Sequence, residues 1–330
     1  MKPRLVLAGG SGFLGCVLSE YFCEHGWEVV VLTRFPHDRS GEVRRVLWDG
    51  ETSGEWTHEL EGARALINLA GVSVNCRYHL QNRKRILDSR LHSTQVLGDA
   101  IARCGNPPEV WLNSSTATIY KHTFGPAWNE SGEVGHTAEA KDEFSVEVAR
   151  AWEGTFNAVQ TSATRKVVLR SAMVLGLGRN SVFPMLRRLV RLGLGGSMAG
   201  GRQFVSWIHQ LDFCRSVEWL IERRDLAGTF NLAAPNPLTN AEMMRTLRAL
   251  YNRPFGLPAS RWMLEIGAFF LRTETELIVK SRRVMPGRLL ESGFVFRFPE
   301  MEDALRDLES ATRGSRVQRS LDSVRFKANG

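Results

Sequence analysis

The chain has 330 residues with 43% hydrophobic content, enough for one large α/β domain with a smaller appendage or two modest domains, and no apolar run approaches the ~20 residues that cross a bilayer. Five cysteines (Cys16, Cys23, Cys76, Cys104 and Cys214), odd in number and never spaced C-x-x-C, suggest neither a disulfide framework nor a zinc site, and with an N-terminus that runs straight into a strand they predict a cytoplasmic protein without a cleaved signal. Half of the +8 net charge falls in residues 311–330, and the remainder suits an anionic cofactor as well as nucleic acid, for which no recognition motif is present; neither nucleic acid nor membrane is an expected partner.

From Arg4 onward, short β-branched apolar runs alternate with helix-length segments, the pattern of a parallel sheet covered on both faces. The predicted strands are Arg4–Ala8, Glu28–Thr33, Arg44–Trp48, Ala63–Leu69, Val110–Asn113 and Lys166–Ser171. A helix over Cys16–His25 follows the first, and long amphipathic helices span Tyr78–Arg103 and Glu143–Gln160. Beyond Gly176 the pattern loosens into a glycine cluster at 193–201, a strand around Gln203–His209, a helix from Asp212 and a strand Thr229–Ala233. Helical stretches at Asn240–Tyr251, Ser260–Leu271 and Glu300–Leu308 are broken by prolines. The predicted architecture is α/β: a doubly wound parallel sheet of Rossmann type over residues 1–178, completed by 203–236, with a smaller, mainly helical C-terminal cap from 179–202 and 237–312. Residues 313–330 read as a basic, poorly ordered tail.

The first strand runs into Gly9, Gly10, Ser11, Gly12, Phe13, Leu14 and Gly15, after which a helix begins. Strand, glycine loop and helix in this order form a dinucleotide site: one glycine makes the turn, a second lets the backbone approach a pyrophosphate, and a third lets helix pack on strand. The second strand ends at Thr33 and Arg34, where an NAD-selective site carries an acidic residue for the ribose 2′-hydroxyl. A forked cation there suits a 2′-phosphate, which predicts NADP(H); the alternative is a solvated surface arginine.

This glycine spacing, with Asn68, Leu69, Ala70 and Gly71 ending the fourth strand and the run from Ser114 through Thr116 to Tyr120 ending the fifth, resembles the extended short-chain dehydrogenase/reductases. The segments Leu192–Gly196, Gly201–Phe204 and Trp207–His209, with the stretch from Asn252 to Phe298, resemble an atypical branch, the epimerase family proteins, also described as cell-division-inhibitor SulA homologues. The resemblance covers about residues 4–310. It implies that the glycine loop, Thr33, Arg34, Asn68, Leu69, Ala70, Gly71 and Ser114 form the NADP(H) site, with Arg90 pointing into the cleft and Met173 near the nicotinamide. From the residues alone, Arg90 also fits a helix surface and Met173 an ordinary core.

The wider superfamily transfers hydride with a Tyr-x-x-x-Lys pair, the tyrosine acting as acid/base. None of the four tyrosines here has a lysine four residues on, and alignment of the helix ending at Glu153 puts Ser145 and Ala149 at the pair's positions, a serine with no adjacent base. Thr116 stands where a Ser/Thr polarises the substrate carbonyl and Tyr120 is the candidate proton donor; equally, the two can satisfy a strand end and pack. Sugar-nucleotide members carry an arginine for the substrate diphosphate where this chain has Val205, which disfavours a literal epimerase. His209 reads as structural, beside a helix that Asp212 caps. The expected function is an NADP(H)-dependent oxidoreductase on a small carbonyl or alcohol. The alternative is a non-catalytic NADP(H)-binding regulator that meets a protein partner through its C-terminal domain. A homodimer through helices 78–103 and 143–160 is a further expectation drawn from the superfamily.

Overall fold

Unbroken aliphatic runs such as Glu28–Thr33 are strands because both faces of the sheet are covered. The computed structural model describes residues 2–36, 43–161, 163–178, 180–265 and 276–313, so the expected tail beyond 313 and the end of the helix expected at Ser260–Leu271 lie outside the described residues. Seven strands, β1 (Arg4–Ala8), β2 (Glu28–Thr33), β3 (Arg44–Leu47), β4 (Ala65–Asn68), β5 (Val110–Thr116), β6 (Arg165–Ser171) and β10 (Gly228–Leu232), pair in the order β10-β6-β5-β4-β1-β2-β3. Every pairing is parallel. The order reverses between β1 and β4, and at such a switch the carboxyl ends of the strands diverge and leave a crevice.

Alternate residues of each strand feed opposite cores. Leu5 and Leu7 of β1 join Leu18 and Phe22 of α1 (Phe13–Glu24) and Phe213 and Leu220 of α5 (Gln210–Glu222) on one face. Val6 and Ala8 join Leu97 and Ile101 of α2 (Leu80–Arg103) and Phe156 of α3 (Glu143–Ala158) on the other. A separate core forms the cap, where Phe183, Leu186 and Val190 of α4 (Val182–Arg191) meet Met244 and Leu247 of α6 (Asn240–Leu250) and Leu305 and Leu308 of the helix over 301–313. The strand expected around Gln203–His209 is split: β8 (Phe204–Val205) pairs antiparallel with β11 (Leu238–Thr239), and β9 (Trp207–His209) pairs with β7 (Met173–Leu175), outside the main sheet.

Residues 281–296, expected in the cap, return to the main domain. Trp128 N–H donates to Arg283 O (2.8 Å) and Met285 N–H to Trp128 O (2.9 Å), stitching the segment to the excursion between β5 and α3. Leu289, Phe294 and Phe296 then enter the core shared with α1 and α5. This return draws α7 (Glu276–Val279) and Lys280 over the carboxyl end of β5. Among the described residues no helix is long and apolar enough to cross a membrane.

Candidate active site

The chain leaves β1 through Gly9, whose φ of +73° is left-handed and whose absent Cβ would lie 2.7 Å from Ala70 Cα. A Cβ on Gly15 would fall 2.2 Å from Gly10 O, so this glycine is what lets α1 pack on the loop. Gly12 differs: nothing stands within 4 Å of its Cβ position. It is the N-cap of α1, which has no side-chain cap and no acidic residue in its first turn, leaving the helix's leading amides for an anion. Ser11 is exposed beside it and Leu14 is half-buried against the core. The Phe13 ring lies under Gly176 and Gly178, where added Cβ atoms would come within 2.7 and 2.4 Å of it.

At the end of β2, Thr33 is buried and its Oγ1 accepts the Phe35 N–H at 3.2 Å. Arg34 is exposed, 6.0 Å from the Phe35 ring, and no carboxylate pairs with it among the described residues. Asn68 does not reach the cleft. Fully buried, it accepts the Ala70 N–H (3.0 Å) and donates to Asn113 Oδ1 (2.8 Å), shaping the Leu69–Gly71 turn from beneath.

Leu69, Ala70 and Gly71 line a cavity of about 220 Å³ together with Ser114 and Thr116 of β5, Arg90 of α2 and Ser145 of α3. The Arg90 guanidinium sits against Gly71 and 5.1 Å from the Trp152 ring, donating to the carbonyls of Ile86 (2.9 Å) and Val72 (3.1 Å). No carboxylate pairs with it among the described residues, and burial pushes its pKa down to about 10. The structure thus joins the β4 turn, Arg90, Ser114 and Thr116 around one space, with Gly9 packed on Ala70 at its edge. Both readings of Thr116 meet in one side chain: its Oγ1 accepts the Thr118 N–H (3.1 Å) and donates to Thr118 Oγ1 (3.0 Å), yet the residue lines the cavity.

Tyr120 is not at the cavity. It is 1% exposed, its hydroxyl donates to Asn231 Oδ1 (2.8 Å) and accepts from Arg170 Nη1 (2.9 Å), and Arg170 forks onto Glu153 at 2.7 and 2.9 Å. With both hydrogen-bonding roles taken in a sealed core, it has no route to donate a proton to a substrate, which corrects the expectation for it. Met173 opens β7 just past the end of β6, its amide bonding Ser206 O (3.2 Å) and its half-buried side chain packing on the cap core.

Ser145 does have an acidic neighbour, supplied from far along the chain. Its Oγ donates to Glu276 Oε1 of α7. Glu276 is buried, which pushes its carboxyl above the usual range, and it also lines a second cavity of about 520 Å³ with Arg83, His136 and Lys141. Tyr78 and Phe144, in edge-on contact at 5.0 Å, border both cavities. One turn beyond, buried Lys280 pairs with buried Asp142 and donates to Thr118 O at 2.5 Å. Burial pushes the Lys280 ammonium down to about 8. Sequence reasoning missed Glu276 and Lys280, because neither stands in a motif or within a hundred residues of its partners.

His209 is structural: its Nδ1 accepts the Leu211 N–H (3.1 Å), capping α5, and burial drives its pKa down to about 4. Asp212, expected as that cap, instead accepts the N–H groups of Phe298 (2.8 Å) and Arg297 (2.9 Å). Among the described residues no group of His, Cys, Asp and Glu is placed to hold a metal.

Residues 5–233 match the NAD dependent epimerase/dehydratase family, and residues 259–308 match a domain of unknown function, DUF1731. The chain is 31% identical over 309 residues to epimerase family protein SDR39U1 of Bos taurus, covering 92% of this chain and 99% of that protein. Epimerase family protein YfhF of Bacillus subtilis is 27% identical over 308 residues, 92% of this chain and 97% of that protein. The crystal structure of human SDR39U1 (isoform2) with NADPH matches with a TM-score of 0.80 at 29% identity, over 92% of this chain and 98% of that one.

Proposed function

Because this chain belongs to the NAD dependent epimerase/dehydratase family, we propose that it binds NADP(H) and works as an oxidoreductase on a small carbonyl or alcohol compound. The observation that carries the reading is the joining of an uncapped helix N-terminus and open Gly12 with a cavity at the ends of β4 and β5. Its likeness to SDR39U1, whose human form crystallised with NADPH, supports the same cofactor. When bound, NADP(H) supplies or accepts hydride. The residues divide the rest of the work. The first amides of α1 hold the pyrophosphate across Gly12, and Arg34 takes the 2′-phosphate that an acidic residue would repel. Arg90, a cation without a carboxylate partner among the described residues, faces the inner cavity, and the Thr116 hydroxyl orients a substrate oxygen there by exchanging its bond to Thr118 Oγ1. Val205 offers no cation for a sugar-nucleotide diphosphate, so the reaction is not read as sugar epimerisation.

Titration of the protein with NADPH and NADH, repeated in Arg34→Ala, tests this. Loss of one charged hydrogen-bonding partner of about 1.5–3 kcal/mol predicts NADPH binding weakened about 10- to 100-fold with NADH binding unchanged. Equal weakening of both nucleotides removes Arg34 from the 2′-phosphate site, and failure to bind either one overturns the reading.

A further inference from the structure

Two cavities that share Tyr78 and Phe144 are also linked by one polar pair. Ser145 faces the inner space between the β4 turn and β5, Glu276 faces the outer one, and the serine hydroxyl donates to the glutamate carboxyl. By its resemblance to the extended short-chain dehydrogenase/reductases the chain has Ser145 roughly where they have the acid/base tyrosine, and the glutamate comes from the C-terminal domain, 131 residues further along. We propose that Glu276 and Ser145 are the acid/base pair of this protein, with the C-terminal domain completing the active site by delivering the glutamate.

The proposal rests on the oxidoreductase reading above. As the carbonyl carbon is reduced by the reduced nicotinamide, its oxygen takes the electron pair of the broken π bond. With Glu276 protonated, its O–H donates to Ser145 Oγ and the serine hydroxyl turns to the substrate: the new substrate O–H bond forms with the Ser145 proton, the Ser145 O–H is remade with the proton of the Glu276 carboxylic acid, and Glu276 is left as carboxylate, accepting from Ser145 again. Water in the outer cavity returns the proton, and alcohol oxidation runs the same transfers backwards. The surroundings suit this cycle. Burial favours the neutral acid and raises the Glu276 carboxyl, while the Ser145 hydrogen bond, Arg282 and Lys280 favour the carboxylate and Asp142 opposes it. Arg83, His136, Lys141 and Glu143 line the outer space through which the proton returns. Lys280 is a positioning residue: its bonds to Asp142 and Thr118 O tie α7 to the end of β5.

Glu276 is observed directly by infrared or carbon-13 carboxyl spectroscopy of the whole protein, without nucleotide, as pH is raised. The expected result is a protonated carboxyl that disappears in Glu276→Gln and titrates above the ordinary glutamate range, moving further up in Ser145→Ala, where the hydrogen bond that favours the carboxylate is gone. A carboxyl that titrates at the ordinary ~4.3 and ignores Ser145→Ala overturns the pairing. With NADPH and para-nitrobenzaldehyde as probes, Ser145→Ala and Glu276→Gln are each expected to lower turnover about 100-fold or more at unchanged NADPH affinity, with Ser145→Thr retaining most of it. Wild-type turnover in both variants overturns the catalytic role. Failure of the wild type to bind NADPH sinks the oxidoreductase reading and the catalytic role with it, whereas the Ser145–Glu276 pairing is decided separately by the carboxyl titration, which is read without nucleotide.

Discussion

Two buried polar networks flank the end of β5, built from the same kinds of groups. In one, Tyr120, Arg170, Glu153 and Asn231 satisfy one another and border neither cavity. In the other, Glu276, Asp142 and Lys280 are also buried, yet Glu276 and the half-buried Ser145 each face open space. The first has the tyrosine that sequence comparison singles out, and the second has only a serine. The difference teaches that acid/base chemistry follows access: a phenol with its donor and acceptor both engaged in a sealed core is scaffolding, while a hydroxyl backed by an acid at a cavity wall can pass a proton.

The largest effect expected from breaking the sealed network is in Arg170→Met, which leaves the buried Glu153 carboxylate without its cation. It should cost about 3–5 kcal/mol in urea or thermal unfolding, with NADPH affinity of the folded fraction unchanged. A loss of NADPH binding instead would mean that this network also shapes the cleft. Next in size is a pH effect that lies outside both networks and sets the background for reading them. The folded-state pKa of His209, about 4, is depressed below the ordinary ~6.5, so its stabilising contribution is whole above about pH 6.5 and is lost as pH falls towards 4. At ~1.4 kcal/mol per unit this amounts to at most about 3 kcal/mol, reduced by the Asp307 carboxylate 3.3 Å from Nε2, which favours the imidazolium, and His209→Gln should flatten the acid limb of a stability curve measured from pH 7 to 4. The smallest effect is that of Tyr120→Phe, expected to cost about 1–2 kcal/mol while leaving reduction of para-nitrobenzaldehyde at its wild-type rate. A fall in turnover comparable to that of Ser145→Ala would erase the distinction between the two networks.

The geometry of the glycine loop was legible because it is local. Gly9, Gly12 and Gly15 act through backbone geometry within one turn, and strand, loop and helix follow one another in sequence as they do in space. The sheet was legible for a similar reason, since strands buried on both faces are unbroken aliphatic runs. The predicted Arg4–Ala8 and Glu28–Thr33 are strands with those same bounds. Tyr120 was misread because motif spacing reports where a residue stands along the chain, and not whether Arg170, 50 residues on, already occupies its hydroxyl. Residues 281–296 were misassigned because Phe294 and Phe296 fill any apolar core equally well from the sequence's point of view.

The sequence by itself determined the doubly wound sheet, the dinucleotide loop and the cation at the end of β2, because each is fixed by short-range sterics, apolar periodicity or one side chain's charge. Only the tertiary structure decided which hydroxyl is sealed and which is open. It also brought Glu276 and Lys280 to the end of β5, because that meeting depends on the C-terminal segment pairing with Trp128 and packing Leu289, Phe294 and Phe296 under the sheet. These are long-range contacts whose free energy comes from burying groups that no local pattern links.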